Sequence, residues 1–228
     1  MPALALLFLS LAPAAAQQPL LSLPLSSKPA EGAARLKPLH FPKIDAHTSY
    51  TLSPEGLRAV ANASASGLIA PFRTEVCPGV RLSWRWKIER APTGSGAPGK
   101  DGDDYAARMA AVFDYDPELY KWWERLARIL LSKEYKELVP GAALEYVWSP
   151  AREPGARWDN PYTDKAKMIA VEGAAGEWSA HEADLCADYR KAFGREPPEL
   201  VGIFLMSDAD NSQSAARAVY GDVGVTRK

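Results

Sequence analysis

Residues 82–88 read Leu-Ser-Trp-Arg-Trp-Lys-Ile, apolar and polar side chains in strict alternation. A period of two is what a half-buried β-strand imposes, because successive side chains leave opposite faces. Trp84 and Trp86 are therefore expected to face a core, and Arg85 and Lys87 to face away from it. Residues 104–113 repeat the pattern. Tyr105, Ala107, Met109, Ala111 and Phe113 share one face, and Asp104, Ala106, Arg108 and Ala110 the other. Segments 47–52, 57–69, 144–148, 167–171, 200–206 and 218–225 are also strand-like and are separated by Gly, Pro, Asp and Asn turn chemistry.

The period changes after Asp116. Asp116 suits an N-cap, Pro117 the first helical position, and Glu118 the positive end of the helix dipole. Leu119, Trp122, Trp123, Leu126, Ile129 and Leu130 then recur at spacings of three and four. That spacing predicts a helix over 117–136, packed by one apolar stripe and stopped by Pro140 and Gly141. A second helical turn is expected over 187–193, closed by Gly194. Many short strands with few helices predict a mainly β fold, a jelly-roll-like antiparallel β-sandwich carrying one packed helix.

The N-terminus reads as an export signal over 1–16, an apolar run leading to Ala14-Ala15-Ala16, although no basic residue precedes it. The run is too short to span a membrane. Residues 17–37, rich in Pro, Ser and Leu, read as a linker, and 38–228 as a single domain. An exported, periplasmic location follows from the signal. There Cys77 and Cys186 are either a disulfide or two separate thiols, and their spacing fits no zinc site. A net charge of -1 without any Lys/Arg run excludes a typical nucleic-acid binder.

Candidate chemistry is sparse. Gly94 to Asp101 nearly matches a phosphate-binding loop, but Asp101 replaces the hydroxyl residue and the segment leads into a strand pattern rather than a helix. No nucleophile elbow is present. Around Asp208, Asp210 and Asn211 the calcium-loop pattern fails, since Gln213 stands where Gly is needed and no Glu closes the loop. An irregular Ca2+ site is the one cofactor expectation left. Asp208 and Asp210 point the same way along an extended strand, so they do not form a mutual catalytic pair. Arg85 and Arg108, placed on neighbouring strands, read either as members of Arg–Asp cross-strand pairs on a solvated sheet or as a concave polar patch for hydroxyl or carboxylate groups. Trp158, Asn160 and Tyr162 make a polar-aromatic loop suited either to binding or to closing the sandwich.

The ordered blocks Ser-Trp-Arg-Trp-Lys-Ile, Gly-Asp-Asp-Tyr-Ala-Ala-Arg, Asn-Pro-Tyr-Thr-Asp-Lys, Ser-Asp-Ala-Asp-Asn-Ser and Ala-Val-Tyr-Gly-Asp-Val together resemble the DUF3047 family of exported bacterial proteins. The resemblance runs over about residues 39–225 and implies a fold and a compartment, with no assigned activity. Its motif residues map here to Trp84, Arg85, Trp86, Asp103, Asp104 and Arg108, then to Asn160, Tyr162, Asp164 and Lys167. Asp208, Asp210, Asn211, Tyr220 and Asp222 complete the set. The C-terminal pattern is also similar in architecture to carbohydrate-binding jelly rolls, and architecture alone assigns no function.

These readings converge on a non-enzymatic, exported β-sandwich binding a glycan or small polar ligand. Arg85, Asp104 and Arg108 would orient hydroxyls, Trp158 and Tyr162 would stack on rings, and Asn160 would add a polar contact. Asp208, Asp210 and Asn211 would hold the loop edge, with Asp222 nearby. The alternatives are an envelope glycan hydrolase or lyase, which needs two of Asp104, Asp208 and Asp222 in one cleft, and an envelope assembly protein.

Overall fold

In the computed structural model the described residues are 18–42, 44–121, 124–125 and 141–228. In chain order the elements are β1 (Gln18–Leu23), α1 (Pro29–Ala33), β2 (Lys37–Leu39), β3 (Ser49–Ser53), β4 (Gly56–Asn62), β5 (Ala65–Thr74) and β6 (Val80–Arg90). There follow β7 (Arg108–Phe113), β8 (Ala142–Trp148), β9 (Arg157–Asn160), β10 (Thr163–Val171), β11 (Trp178–Asp184), α2 (Leu185–Phe193), β12 (Leu200–Asp208) and β13 (Ala215–Arg227). The strands form two sheets. The first runs β11-β6-β13-β4-β3 with β1 also paired to β13, and the second runs β2-β5-β12-β7-β8-β10-β9. The mainly β, sandwich-like fold is as expected. Among the described residues the antiparallel rule has one exception, since β8 and β10 pair in parallel.

The alternation of β6 does what its period requires. Val80, Leu82, Trp84, Trp86 and Ile88 are buried, while Arg85 is exposed and Lys87 half-buried. The Trp84 ring lies 5.0 Å from that of Tyr146 on β8, so the two sheets meet through aromatic packing. Truncating a fully buried residue such as Trp86 costs about 3–5 kcal/mol. The chain changes sheet at Ala63, whose φ of 44° makes a tight left-handed corner. The span 57–69, which reads as one strand, is therefore two strands in different sheets.

Strand β7 is buried on both faces. Met109, Ala111 and Phe113 enter the sandwich core, whereas Ala110 and Val112 join a second apolar cluster with Ala65, Phe204 and Met206. The latter cluster lies on the outer face of the second sheet, under Leu39, Phe41 and Ile44. A sheet buried on both faces is what turns an outward polar residue into a buried one, and this decides the fate of Arg108.

The segment read as a linker is structured. Leu21, Leu23 and Leu25 are buried, and β1 pairs with the C-terminal half of β13. Pro19 sits at a register shift on this edge strand, where a missing N–H is tolerated. Composition suggested a linker, but the leucines stand at alternate positions and bury as a strand. Residues 104–107, expected to be strand, precede β7 without ladder pairing. The opening of the helix expected over 117–136 is a 3-10 turn, Pro117–Leu119, in which Asp116 accepts a hydrogen bond from the Glu118 amide as a cap does. Most of the rest of that span lies outside the described residues, as does the export signal over 1–16. The second helix forms as α2, capped by Asp184 on the Ala187 amide and ended by Gly194 at φ 70°.

Cys77 and Cys186 form a disulfide with Cα atoms 5.3 Å apart, tying α2 to the β5–β6 connection. It closes a loop of 109 residues. On the chain-entropy account such a closure stabilises the fold by about 4–5 kcal/mol. Among the described residues no helix is long and apolar enough to cross a membrane.

Candidate functional site

Ladder register places the site. On the outer face of the second sheet, Phe204, Ala110 and Glu145 stand in one row and Met206, Arg108 and Val147 in the next. A groove of about 1270 Å³ runs over this face. Its floor is largely aliphatic, from Ala65, Ile69, Ala110, Val112 and Met206, and Leu39, Phe41 and Ile44 form one wall. Gly67 makes room for the Phe204 ring, because a Cβ there would overlap the ring. The other end of the groove is polar. Lys100, Asp103, Arg108, Glu145, Asn160 and Tyr162 line it together with Asp208, Asp210 and Asn211.

These residues arrive from four stretches of chain, 100–108, 145, 160–162 and 208–211. Lys100 and Asp103 come from the glycine-rich loop before β7, which folds back because Gly102 lies against the Ala97 backbone where no Cβ would fit. Arg108 opens β7, Glu145 lies in β8, and Asn160 ends β9. Tyr162 sits in the following turn, Asp208 ends β12, and Asp210 and Asn211 form the turn to β13.

Arg108 is the hub. One terminal nitrogen donates to Glu145 Oε2 at 2.7 Å, and the other donates to Asp208 Oδ2 at 3.0 Å and to the Asp103 carbonyl at 3.1 Å. The Asp103 carboxylate stands 3.7 Å away. Arg108 and Asp208 are buried, so neither charge would be tolerated without the other. Burial works against the guanidinium charge, but Asp208, Asp103 and Glu145 more than offset it and hold Arg108 protonated. Three carboxylates around one guanidinium leave an excess of negative charge. Burial pushes Asp103 up to about 6, with Arg108 pulling down and Glu145 and Asp104 pushing further up. Its Oδ1 is buried without a hydrogen-bond partner.

The rim is held by side-chain amides. Asn211 Nδ2 donates to the Tyr162 hydroxyl and to the Lys100 carbonyl, both at 2.6 Å. Lys100 Nζ lies 4.7 Å from the centre of the Tyr162 ring. Asn160 Oδ1 accepts from the Tyr162 amide at 2.9 Å, a local Asx turn that sets the ring at the mouth of the groove. Tyr162 is 57% exposed, more than any other large hydrophobic residue described.

Of the sequence-predicted site residues, Arg108, Asn160, Tyr162, Asp208, Asp210 and Asn211 meet at this polar end. Asp104 is fully buried behind them, accepting from the Asn211 amide and from the Ser212 amide and hydroxyl. It shapes the turn and does not line the groove. One oxygen each from Asp104, Asp208 and Asp210 lies within 4.8 Å of the others, so these three residues could hold a metal ion. Trp158 packs on Tyr105, Val147 and Met168, with the Arg152 guanidinium 4.7 Å from its ring centre, as a cover for the sheet.

Arg85 and Asp222 fall elsewhere. Arg85 belongs to β6 in the first sheet and Arg108 to β7 in the second, so they are not neighbours and build no common patch. Both Arg85 and Asp222 engage Ser26: Arg85 donates to its hydroxyl at 2.9 Å, and Asp222 accepts from its amide and hydroxyl at 2.7 and 2.8 Å. Sequence reasoning gave no site role to Glu145 or Lys100, and named Asp103 only as a family motif residue. Glu145 had a usable signal, a lone carboxylate inside the apolar run Ala-Ala-Leu-Glu-Tyr-Val-Trp. Lys100 lay in the glycine-rich loop set aside as a nucleotide site.

No curated protein matches the chain. Among solved structures it is similar to the glycoside hydrolase domain of Endo-D from Streptococcus pneumoniae R6, at 9% identity and a TM-score of 0.33. That alignment covers 83% of this chain and spans 21% of the other. The family model described as "Protein of unknown function (DUF3047)" matches residues 34–224. The second sheet, the first sheet apart from β1 and the end of β13, and the polar end of the groove fall within that match, and the chain belongs to the DUF3047 family.

Proposed function

We propose that the protein binds a polyhydroxylated ligand, a glycan or a fragment of one, at the polar end of the groove without transforming it. The observation that carries this reading is the convergence of acceptor-rich groups on one rigid sheet face beside an exposed tyrosine. Hydroxyl groups supply the donors that a buried, unpartnered Asp103 oxygen lacks, and the Tyr162 ring offers a surface to a sugar face. Arg108, Asp208 and Glu145 act as a preorganised base for these contacts, since their own pairing fixes their positions. The disulfide and the apolar N-terminal segment support an exported, periplasmic setting.

A second reading, an envelope glycan hydrolase or lyase, is favoured by one observation: a carboxyl group near 6 is suited to hold and release a proton. The pair it first required is weakened, because Asp104 is fully buried and occupied by the turn and Asp222 belongs to the other sheet.

Binding to an oligosaccharide array tests the proposal. Wild-type protein is expected to retain a subset of glycans, and Asn160→Ala to lose up to about tenfold in affinity, the worth of one hydrogen bond and the ring position it sets. No retention of any glycan overturns it. Mass-spectrometric detection of shortened glycans, abolished in Asp103→Asn, would replace binding with catalysis.

A further inference from the structure

We propose that Ser179 and His181 form a nucleophile–base pair in a second pocket, at the margin of the first sheet, and that this pocket hydrolyses a small carboxylic ester with a short acyl group. Ser179 Oγ and His181 Nε2 are 3.1 Å apart, hydrogen-bond reach for a hydroxyl and the base that activates it. The pocket has a volume of about 380 Å³, and Glu172, Gly173, Trp178 and both members of the pair line it. None of these residues lines the groove on the second sheet.

Strand register explains why the pair meets and stays open. Ser179 and His181 stand two apart on β11, opposite Trp86 and Trp84 of β6, so both point toward the interior of the sandwich. β11 is the edge strand of its sheet, and at that margin they are half-buried where the tryptophans are buried. The imidazole is seated against both indoles, with ring centres 5.1 and 5.3 Å away, which limits how it can turn. The loop over 172–177 is tied down twice. The Gly173 carbonyl accepts from Trp148 Nε1 at 3.0 Å, and the Gly176 amide donates to the Ile88 carbonyl at 2.7 Å. A Cβ at Gly173 would stand 3.0 Å from Ser179 Oγ, so glycine leaves the hydroxyl its room. Burial holds His181 below its ordinary value, which keeps the imidazole free to accept a proton, and the Glu172 charge favours the imidazolium once it forms.

The chemistry balances with these groups and water. With the His181 proton on Nδ1, Ser179 Oγ attacks the ester carbonyl carbon and its own proton passes to Nε2. The C–O bond to the alcohol then breaks, and Nε2 returns the proton to the departing oxygen, leaving an acyl-serine. Water, deprotonated by the same nitrogen, cleaves that ester to the carboxylic acid and restores Ser179. An edge strand leaves alternate backbone N–H groups unpaired, the donors that a developing oxyanion requires. Walls of Gly173, Ala174 and Ala180 fit a short acyl group. The site does not rest on the glycan reading, and its substrate is a different molecule from the ligand of the groove.

Fluorophosphonate labelling of the full chain with its disulfide intact, located by peptide mass spectrometry, tests this together with turnover of p-nitrophenyl acetate. Label is expected on Ser179, and Ser179→Ala should lose it along with about 100-fold or more in turnover. His181→Gln should slow labelling of Ser179 by about 100-fold or more. Matching melting temperatures separate loss of chemistry from loss of fold. Absence of label from Ser179 in the wild type overturns the proposal without reference to any variant. Unchanged turnover in Ser179→Ala, or labelling at the wild-type rate in His181→Gln, overturns it as well.

Discussion

The two outer faces of the sandwich carry similar residues and use them differently. On the first sheet, Arg58 pairs with Glu89, Lys87 with Glu55, and Arg81 with Glu182 and Asp184, all at least partly open to water. Such pairs are worth at most about 1 kcal/mol each. On the second sheet Arg108 meets Glu145, Asp208 and Asp103 with almost no exposure. Asp208 and Asp222, only fourteen residues apart in sequence, belong one to each face. Polar side chains on a solvated sheet stabilise it pairwise; polar side chains beneath a wall must satisfy one another, and what they leave unsatisfied becomes a site.

The largest expected effect tests that contrast directly. Arg108→Ala should lower unfolding free energy by about 3–5 kcal/mol, because it strands buried carboxylates. Arg85→Ala should cost less than about 1 kcal/mol. Urea denaturation of both variants gives the numbers, and equal losses would erase the distinction.

pH sharpens it next. Asp103 titrates near 6 in the folded chain, above the roughly 3.9 of an unfolded aspartate. The native state therefore holds this proton more tightly. Its contribution is fully present below about pH 4 and is lost as pH rises through about 6, a swing of roughly 2–3 kcal/mol. Asp103→Asn should accordingly be more stable than wild type at pH 7, with the gap closing near pH 4. A constant gap across that range would contradict the burial argument.

Asp222 should show the opposite sign and a smaller size. Partial burial pushes its carboxyl up, but donors from Ser26 and Ser27 outweigh that and leave it below the usual range. Its contribution is present above the unfolded value near 4 and is lost on acidification. As the group is only half-buried and partly screened by solvent, Asp222→Asn should cost no more than about 1 kcal/mol at neutral pH. A stability curve for this variant that moves like that of Asp103→Asn would show that the two faces do not differ.

The period of two in β6 and around Met109 gave the sandwich, because a strand must place alternate side chains on opposite faces. The same logic placed Arg108 and Ala110 opposite the core. It could not show that this second face was itself covered, since the cover is the distant segment around Phe41 and Ile44. Nor could it say which strands are neighbours, and so Arg85 was joined to Arg108 across what are two different sheets. Asn160, Tyr162 and Asn211 were legible as loop polar groups. Their meeting depends on β9–β10 and β12–β13 turns lying side by side, which is a property of strand order rather than of local sequence. Leu21, Leu23 and Leu25 were readable and were misread, because proline and serine composition outweighed their alternation.

The central claim is that ligand binds on the second sheet and not the first. The first sheet has its own exposed aromatic, Trp178, with the Arg85 guanidinium 4.7 Å from its ring centre, so the two faces offer rival platforms. The most direct measurement is oligosaccharide-array binding by Tyr162→Ala and Trp178→Ala beside the wild type. The account predicts loss of retained glycans in Tyr162→Ala and an unchanged pattern in Trp178→Ala. Loss in Trp178→Ala with Tyr162→Ala unaffected would contradict it.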